Sequence, residues 1–191
     1  KVRAASGRAL RRPLRSARPT TRAAGRPTLA RIAAGTPTLS DVGALAEGHL
    51  RLLAPGTTMA LFAVDAAQAA LTVRFAAGPA VDAVSPLTMR LGDRLTGWVG
   101  ANLRPMRNGD GRLDLPGVTA PLARWASATP LVADGVVAGV LTVYSAEPLG
   151  DDQCRMLEMI GPHLAAAVAS AAATEADVPH VRAPLRVVAR R

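Results

Sequence analysis

From about residue 40 onward, apolar and polar positions alternate between helical and strand-like spacing. Val42, Leu45, Ala46, His49, Leu52 and Leu53 recur at three- and four-residue steps. They predict an amphipathic helix that Ser40 caps, with Asp41 in its first turn and Pro55-Gly56 as its stop. Two apolar runs follow, at 58–64 and 70–76, joined by a short polar turn at 65–68, and they read as a hairpin. A further extended segment is expected at 86–91. Leu95, Trp98, Val99 and Leu103 then return to helical spacing, and Pro105 closes that segment.

Residues 108–121 are rich in Gly, Asp, Arg and Pro and offer few apolar anchors, so they predict a long loop, with room for one helical turn. The runs at 127–133 and 136–144 flank Asp134-Gly135, the residue pair that most strongly signals a two-residue hairpin turn. Because these runs hold almost no polar residues, they belong at the centre of a sheet. Asp151 or Asp152 is expected to cap a last helix, whose stripe is Met156, Leu157, Ile160, Leu164, Ala167 and Val168, running to about Ala173. Strands outnumber crossovers in this order. The fold class is therefore α+β, a central antiparallel β-sheet flanked by α-helices. Gly139 inside a buried strand implies a close backbone approach or a bulge, or is merely tolerated there. Gly92 and Gly97 bracket a turn into a helix, where positive φ or close packing calls for glycine.

Three blocks together resemble the GAF domain family over about residues 38–173. The first is Leu91-Gly92-Asp93-Arg94-Leu95-Thr96-Gly97-Trp98-Val99, followed by Arg104-Pro105-Met106. The second runs from Ala128-Thr129-Pro130-Leu131 through Asp134-Gly135 to Gly139-Val140-Leu141. The third is Glu147-Pro148-Leu149-Gly150-Asp151-Asp152, with Leu157-Glu158 and Ile160-Gly161-Pro162 after it. Arg94 stands where the family usually has Gly, which stiffens the turn, and Leu149 replaces the more usual Phe. The resemblance implies a GAF/PAS-like sensory domain of a signal-transduction protein, non-catalytic, with an effector domain in the parent chain. It also implies a homodimer made by the first and last helices, with Met159, Ala166 and Ala169 as leftover apolar positions. The family's pocket lies between the sheet and the segment 92–125. The polar candidates there are Arg94, Arg107, Arg112 and Arg124, with Trp98 and Trp125 either as aromatic walls or as core. An arginine-lined rim would suit an anionic small molecule, since guanidinium forks match carboxylate and phosphate.

Charge divides the chain in the same places. Residues 1–40 hold ten basic residues and no acidic one, whereas 41–173 hold nine basic and twelve acidic residues. The expected domains are an arginine-rich disordered arm at 1–37, the GAF domain at 38–173 and a disordered basic tail at 174–191. The net charge of +9 thus argues for nucleic acid only through the tails. A nucleic-acid-associated protein that uses those tails is the alternative reading, and an amphipathic or aromatic-interleaved pattern that would favour it is missing. Other readings of the arm are a transit peptide, or a twin-arginine signal at Arg11-Arg12 without its apolar region. The chain begins at Lys1, which suggests a fragment or a processed product. No apolar run approaches the roughly 20 residues that span a bilayer, so no membrane partner and a cytoplasmic location are expected.

Catalytic chemistry finds little support. His49, His163 and His180 show no metal-ligand spacing, so no metal is expected, and no cofactor either. Cys154 is the single cysteine, which rules out an intrachain disulfide and the cysteine pair that some GAF-fold enzymes use to reduce methionine sulfoxide. It also lies beyond the region where bilin-binding relatives attach their chromophore. The motif of cyclic-nucleotide-binding relatives is absent. Asp151-Asp152 reads as helix capping rather than an acid–base pair, and no phosphate-binding glycine loop follows a strand.

Overall fold

The computed structural model describes residues 37–117 and 121–176. Helix α1 (Leu39–Leu53) leads into β1 (Thr58–Asp65) and β2 (Ala70–Ala77). A single turn, α2 (Val81–Val84), and a short strand, β3 (Thr88–Arg90), follow. Then come α3 (Arg94–Asn102), β4 (Met106–Asp110), 3-10 turns at Gly111–Leu113 and Pro121–Ala123, β5 (Trp125–Ala133), β6 (Val136–Ser145) and the long α4 (Asp151–Ala176). The six strands form one sheet in the order β3-β2-β1-β6-β5-β4, antiparallel at every pairing. The expected fold class is observed.

The centre of the sheet is where the least polar runs predicted it. β1 and β6 pair from Thr58↔Tyr144 to Ala63↔Gly139. At that last pair a methyl on Gly139 would run into the carbonyl oxygen of Phe62, so close backbone approach is what requires glycine. The β5–β6 hairpin turns at Asp134 and Gly135, with φ of +51° and +78°, both in the left-handed region that a two-residue turn of this hand needs.

The two-residue period of the central strands divides the core between the faces. Met59, Leu61, Ala63, Leu131, Leu141 and Val143 point toward α1 and α4. Ala60, Phe62, Ala126, Ala128, Val140 and Tyr144 point the other way, toward Leu95 and Val99 of α3 and the segment carrying Leu115 and Ala123. The sheet is therefore buried on both sides, by different parts of the chain.

Local boundaries differ from the sequence expectations in ways that have physical causes. Thr38, not Ser40, caps α1: its Oγ1 accepts from Asp41 N–H at 3.2 Å, and its own N–H donates to Asp41 Oδ2 at 3.0 Å. This reciprocal box satisfies two donors where Ser40 would satisfy one. The buried stripe of α1 is Leu39, Val42, Gly43, Ala46 and Leu50, which leaves Leu45 and Leu52 exposed. Likewise α4 buries Cys154, Leu157, Leu164, Ala165, Val168 and Ala171 and exposes Met156 and Met159. Asp151 and Asp152 lie inside the first turn of α4 and do not cap it from outside, while Gly150 N–H donates to Gln153 Oε1 at 2.8 Å. The loop expected at 108–121 holds the end of an edge strand, because a half-exposed strand needs no apolar alternation. Helix α4 is long and apolar enough by length and composition to cross a membrane, contrary to the sequence reading, yet it lies along the sheet against β5. The arm at 1–37 and the tail at 174–191 fall, but for their innermost residues, outside the described residues.

Candidate functional site

Opposite α1 and α4, the N-terminus of α3 abuts the back of β6. Gly92, at φ +91°, turns the chain toward the helix, and Gly97 presses so closely on the carbonyl of Arg90 that no side chain fits. The first N–H groups of a helix lack intrahelical acceptors and carry partial positive charge. The residue placed to cap them, Asp93, makes no side-chain hydrogen bond to the helix. Asp114, from the 3-10 turn beyond β4, does so instead. Its Oδ1 accepts from Leu95 N–H at 2.9 Å and Thr96 N–H at 3.1 Å, and its Oδ2 from Thr96 Oγ1 at 2.5 Å and Tyr144 Oη at 2.9 Å. Thr142 Oγ1 lies 2.9 Å behind Thr96 Oγ1, and Arg94 Nη1 donates to the carbonyl of Asp114 at 2.9 Å.

Asp114, Thr96, Thr142 and Tyr144 are all fully buried. A buried carboxylate is tolerated when donors saturate it, and here two backbone and two side-chain donors do so. The Tyr144 phenol is pushed well above its ordinary range, first by burial and next by the charge of Asp114. It therefore stays a donor at any physiological pH.

The six residues singled out in the sequence are not gathered at this seat. Arg94 enters it, through the carbonyl of Asp114. Arg112 forks onto Asp110 at 2.8 and 2.7 Å and holds that carboxyl down to about 2. Arg124 stacks over Trp125, 5.8 Å from the ring centroid. Its carbonyl accepts from Gly111 N–H at 3.0 Å, which brings Arg124 and Trp125 to the Asp110–Arg112 turn. Trp98 is half-exposed on α3. Arg107 reaches the other face, where its Nε and Nη2 donate to the two carboxylate oxygens of Glu158 of α4, each at 2.7 Å, and hold that carboxyl below its usual range.

Asn108, next to Arg107, ties β4 to the start of α4. Its Nδ2 donates to Leu149 O at 2.8 Å, and its Oδ1 accepts from Leu149 N–H at 2.8 Å. Cys154 is buried in the same corner, 3.8 Å from Ser127 Oγ, with no histidine among its hydrogen-bond partners. No group of three or more potential metal-ligating side chains occurs among the described residues. Three cavities lined by described residues lie away from Asp114. One of about 220 Å³ is at the end of α1, one of about 200 Å³ is between β5 and α4, and one of about 270 Å³ is beside the β5–β6 turn.

Sequence reasoning did not find Asp114, Thr96, Thr142 or Tyr144. Asp114 sits among Gly, Arg and Pro, the composition of a solvated loop, and only the folded chain shows its carboxylate taken out of water. The one local clue was Arg94 in a glycine position, which adopts φ +57°.

A family model described as GAF domain matches residues 58–168. No curated protein matches the chain. Among solved structures, the chain is similar to the GAF domain of a phosphoenolpyruvate-protein phosphotransferase from Coxiella burnetii. Identity is 20%, over 78% of this chain and 92% of that one, with a TM-score of 0.61. It is also similar to the GAF-B domain of DevS from Mycobacterium smegmatis, at 28% identity over 71% of this chain and 96% of that one, with a TM-score of 0.55. The free methionine-R-sulfoxide reductase of Neisseria meningitidis, solved in complex with its substrate, shares the fold at 19% identity. That likeness covers 70% of this chain and 80% of that one, with a TM-score of 0.56.

Proposed function

The chain belongs to the GAF domain family, whose members are generally regulatory modules of signalling proteins, and from that premise we propose that it senses a small molecule without catalysing a reaction. The observation that carries this reading is the division of labour between the two faces of the sheet. One face is covered by α3 and a turn-rich segment, with a saturated hydrogen-bonding seat beneath them. The other is covered by the first and last helices.

In this reading an anionic ligand lies near Arg94, Arg112 and Arg124, with Trp98 and Trp125 as the nearby aromatic side chains, and Arg107 links β4 to α4. Guanidinium groups already in ion pairs can exchange one carboxylate partner for another, so their present pairing does not disqualify them. The response passes to α1 and α4 of a homodimer. Leu52, 82% exposed, and Met159, 62% exposed, supply apolar surface for that contact. An effector domain in the parent protein reads the rearrangement, in the cytoplasm. Against a reductase of the Neisseria kind stands the single, buried Cys154, since disulfide-based reduction takes two thiols.

Two measurements test the proposal. Native mass spectrometry of protein taken directly from cells is expected to show a retained small molecule that denaturing conditions remove. Light scattering is expected to show a dimer that Leu52→Glu with Met159→Glu turns into monomer without loss of helical signal. A ligand-free protein that stays monomeric at high concentration would contradict the sensing and relay reading.

A further inference from the structure

The cleft of about 200 Å³ between β5 and α4 is lined by Pro105, Thr129, Pro130, Val132, Glu158 and Pro162. It lies where β5 runs on past β4, whose pairing with it ends at Ala128. Half of this lining is proline, which has no N–H to give. Pro130 therefore brings the cleft a carbonyl and no donor. Pro162 stands inside α4 and cannot offer the carbonyl of Glu158, four residues earlier, its helical hydrogen bond. The carbonyl oxygen of Pro130 lies beside Gly161, where an added methyl would touch it and would run into Thr129 Cγ2. Glycine at 161 thus lets α4 close against this part of the strand.

Thr129 is only 4% exposed, and its Oγ1 has no hydrogen-bond partner among the described residues. Ser127 and Thr142, hydroxyl residues of the same central hairpin, both find partners. Ser145 Oγ is also unpaired, but Ser145 lines none of the three cavities. A buried hydroxyl without a partner costs free energy that a valine of the same shape would avoid. Glu158 carries the one charge in the lining. Arg107 donates to both of its oxygens, and Arg155 acts on it from nearby. Asp152 pairs with Arg155 at 3.5 Å, and the charge of Asp151 reaches Arg107. Three carboxylates thus stand against two guanidinium groups around the mouth, a balance of −1.

We propose that this cleft binds a primary ammonium compound, a small alkylamine. Its head is all donor, and the carbonyls of Pro130 and Glu158 and the hydroxyl of Thr129 are the acceptors available to it. Pro105, Val132 and Pro162 are the apolar walls for its carbon chain. The volume is several times the roughly 30 Å³ that one water takes up, which leaves room for a chain of a few carbons. The cleft is on the α4 side of the sheet, so this site does not depend on the anionic ligand proposed above.

The test follows amide resonances of the full chain titrated with n-butylammonium chloride, the ionic strength held constant with sodium chloride. Saturable shifts are expected at Thr129, Val132 and Glu158, and none with tetramethylammonium, which has the charge without an N–H. Thr129→Val keeps the shape and removes the hydroxyl. It is expected to fold at least as stably as the parent and to bind about tenfold more weakly, as the loss of a hydrogen bond to a charged group requires. Pro162→Ala returns an N–H to the carbonyl of Glu158, so it is expected to raise the melting temperature and lower the affinity together. If Thr129 and Pro162 were purely structural, both variants would change stability and leave the dissociation constant as it was, and that result overturns the proposal. So do shifts that never saturate, or an equal response to tetramethylammonium. Should Thr129→Val not fold, Pro162→Ala alone decides. A capped threonine–valine pentapeptide without an ammonium group that moves the same resonances, where butylammonium does not, means strand addition and overturns it as well.

Discussion

At the residue scale, Arg94 shows how a departure from a family pattern can have two opposed energetic terms. Its φ of +57° is a conformation that costs a non-glycine residue about 1–2 kcal/mol, while its guanidinium bonds the carbonyl of Asp114. Replacement by Gly or by Ala removes the hydrogen bond equally, so the difference between the two variants isolates the backbone. Arg94→Gly is expected to be about 1 kcal/mol more stable than Arg94→Ala in urea denaturation, the reverse of the usual order at helical positions. If Ala proves the better residue, the left-handed conformation is not present in solution. Tyr144 gives a second check, because it is the only tyrosine. Its folded pKa is raised well above 10, whereas in the unfolded chain the phenol ionises near its ordinary value of about 10. The folded state therefore holds the proton more tightly, and the contribution of this phenol to stability is constant below about pH 10 and falls as pH rises above it. Phenolate absorbance is expected to stay absent until the chain unfolds, and Tyr144→Phe should remove this part of the alkaline loss.

At the element scale, existence and type were largely legible, but faces and ends were not. The Asp134-Gly135 hairpin and the central position of β6 followed from two local facts, a turn pair and an unbroken apolar run. The stripe of α1 was misread by part of a turn because two apolar surfaces share that helix. Leu39, Val42, Ala46 and Leu50 face the sheet, while Leu45 and Leu52 face away, and periodicity alone cannot separate them. The edge strand β4 was missed because Arg107, Asn108 and Asp110 spend their side chains on polar partners rather than on burial. The cap of α1 was misplaced because Ser40 and Thr38 are both competent, and only the reciprocal bonds with Asp41 decide between them. Removing that box through Thr38→Ala is expected to cost about 1 kcal/mol, with Ser40→Ala near neutral. Equal losses in the two variants, measured by chemical denaturation, would mean that the helix starts later in solution.

At the scale of the whole molecule, the sheet gives each face a separate task, and the sequence held one of them in plain view. The helices over one face announce themselves by period. The seat over the other depends on Asp114 meeting Thr96 and Tyr144 across 18 and 30 residues of chain, contacts that no local pattern encodes. The sheet also has an unfinished border. β4 pairs only with the Trp125–Ala128 half of β5, so among the described residues no strand lies beyond Thr129–Ala133. Such a border invites another chain to add itself there. Pro130 stands in the middle of it and offers no N–H to a newcomer, and a proline is tolerated in a sheet where its nitrogen looks outward. With one donor missing, that stretch of β5 makes a poorer template for an added strand.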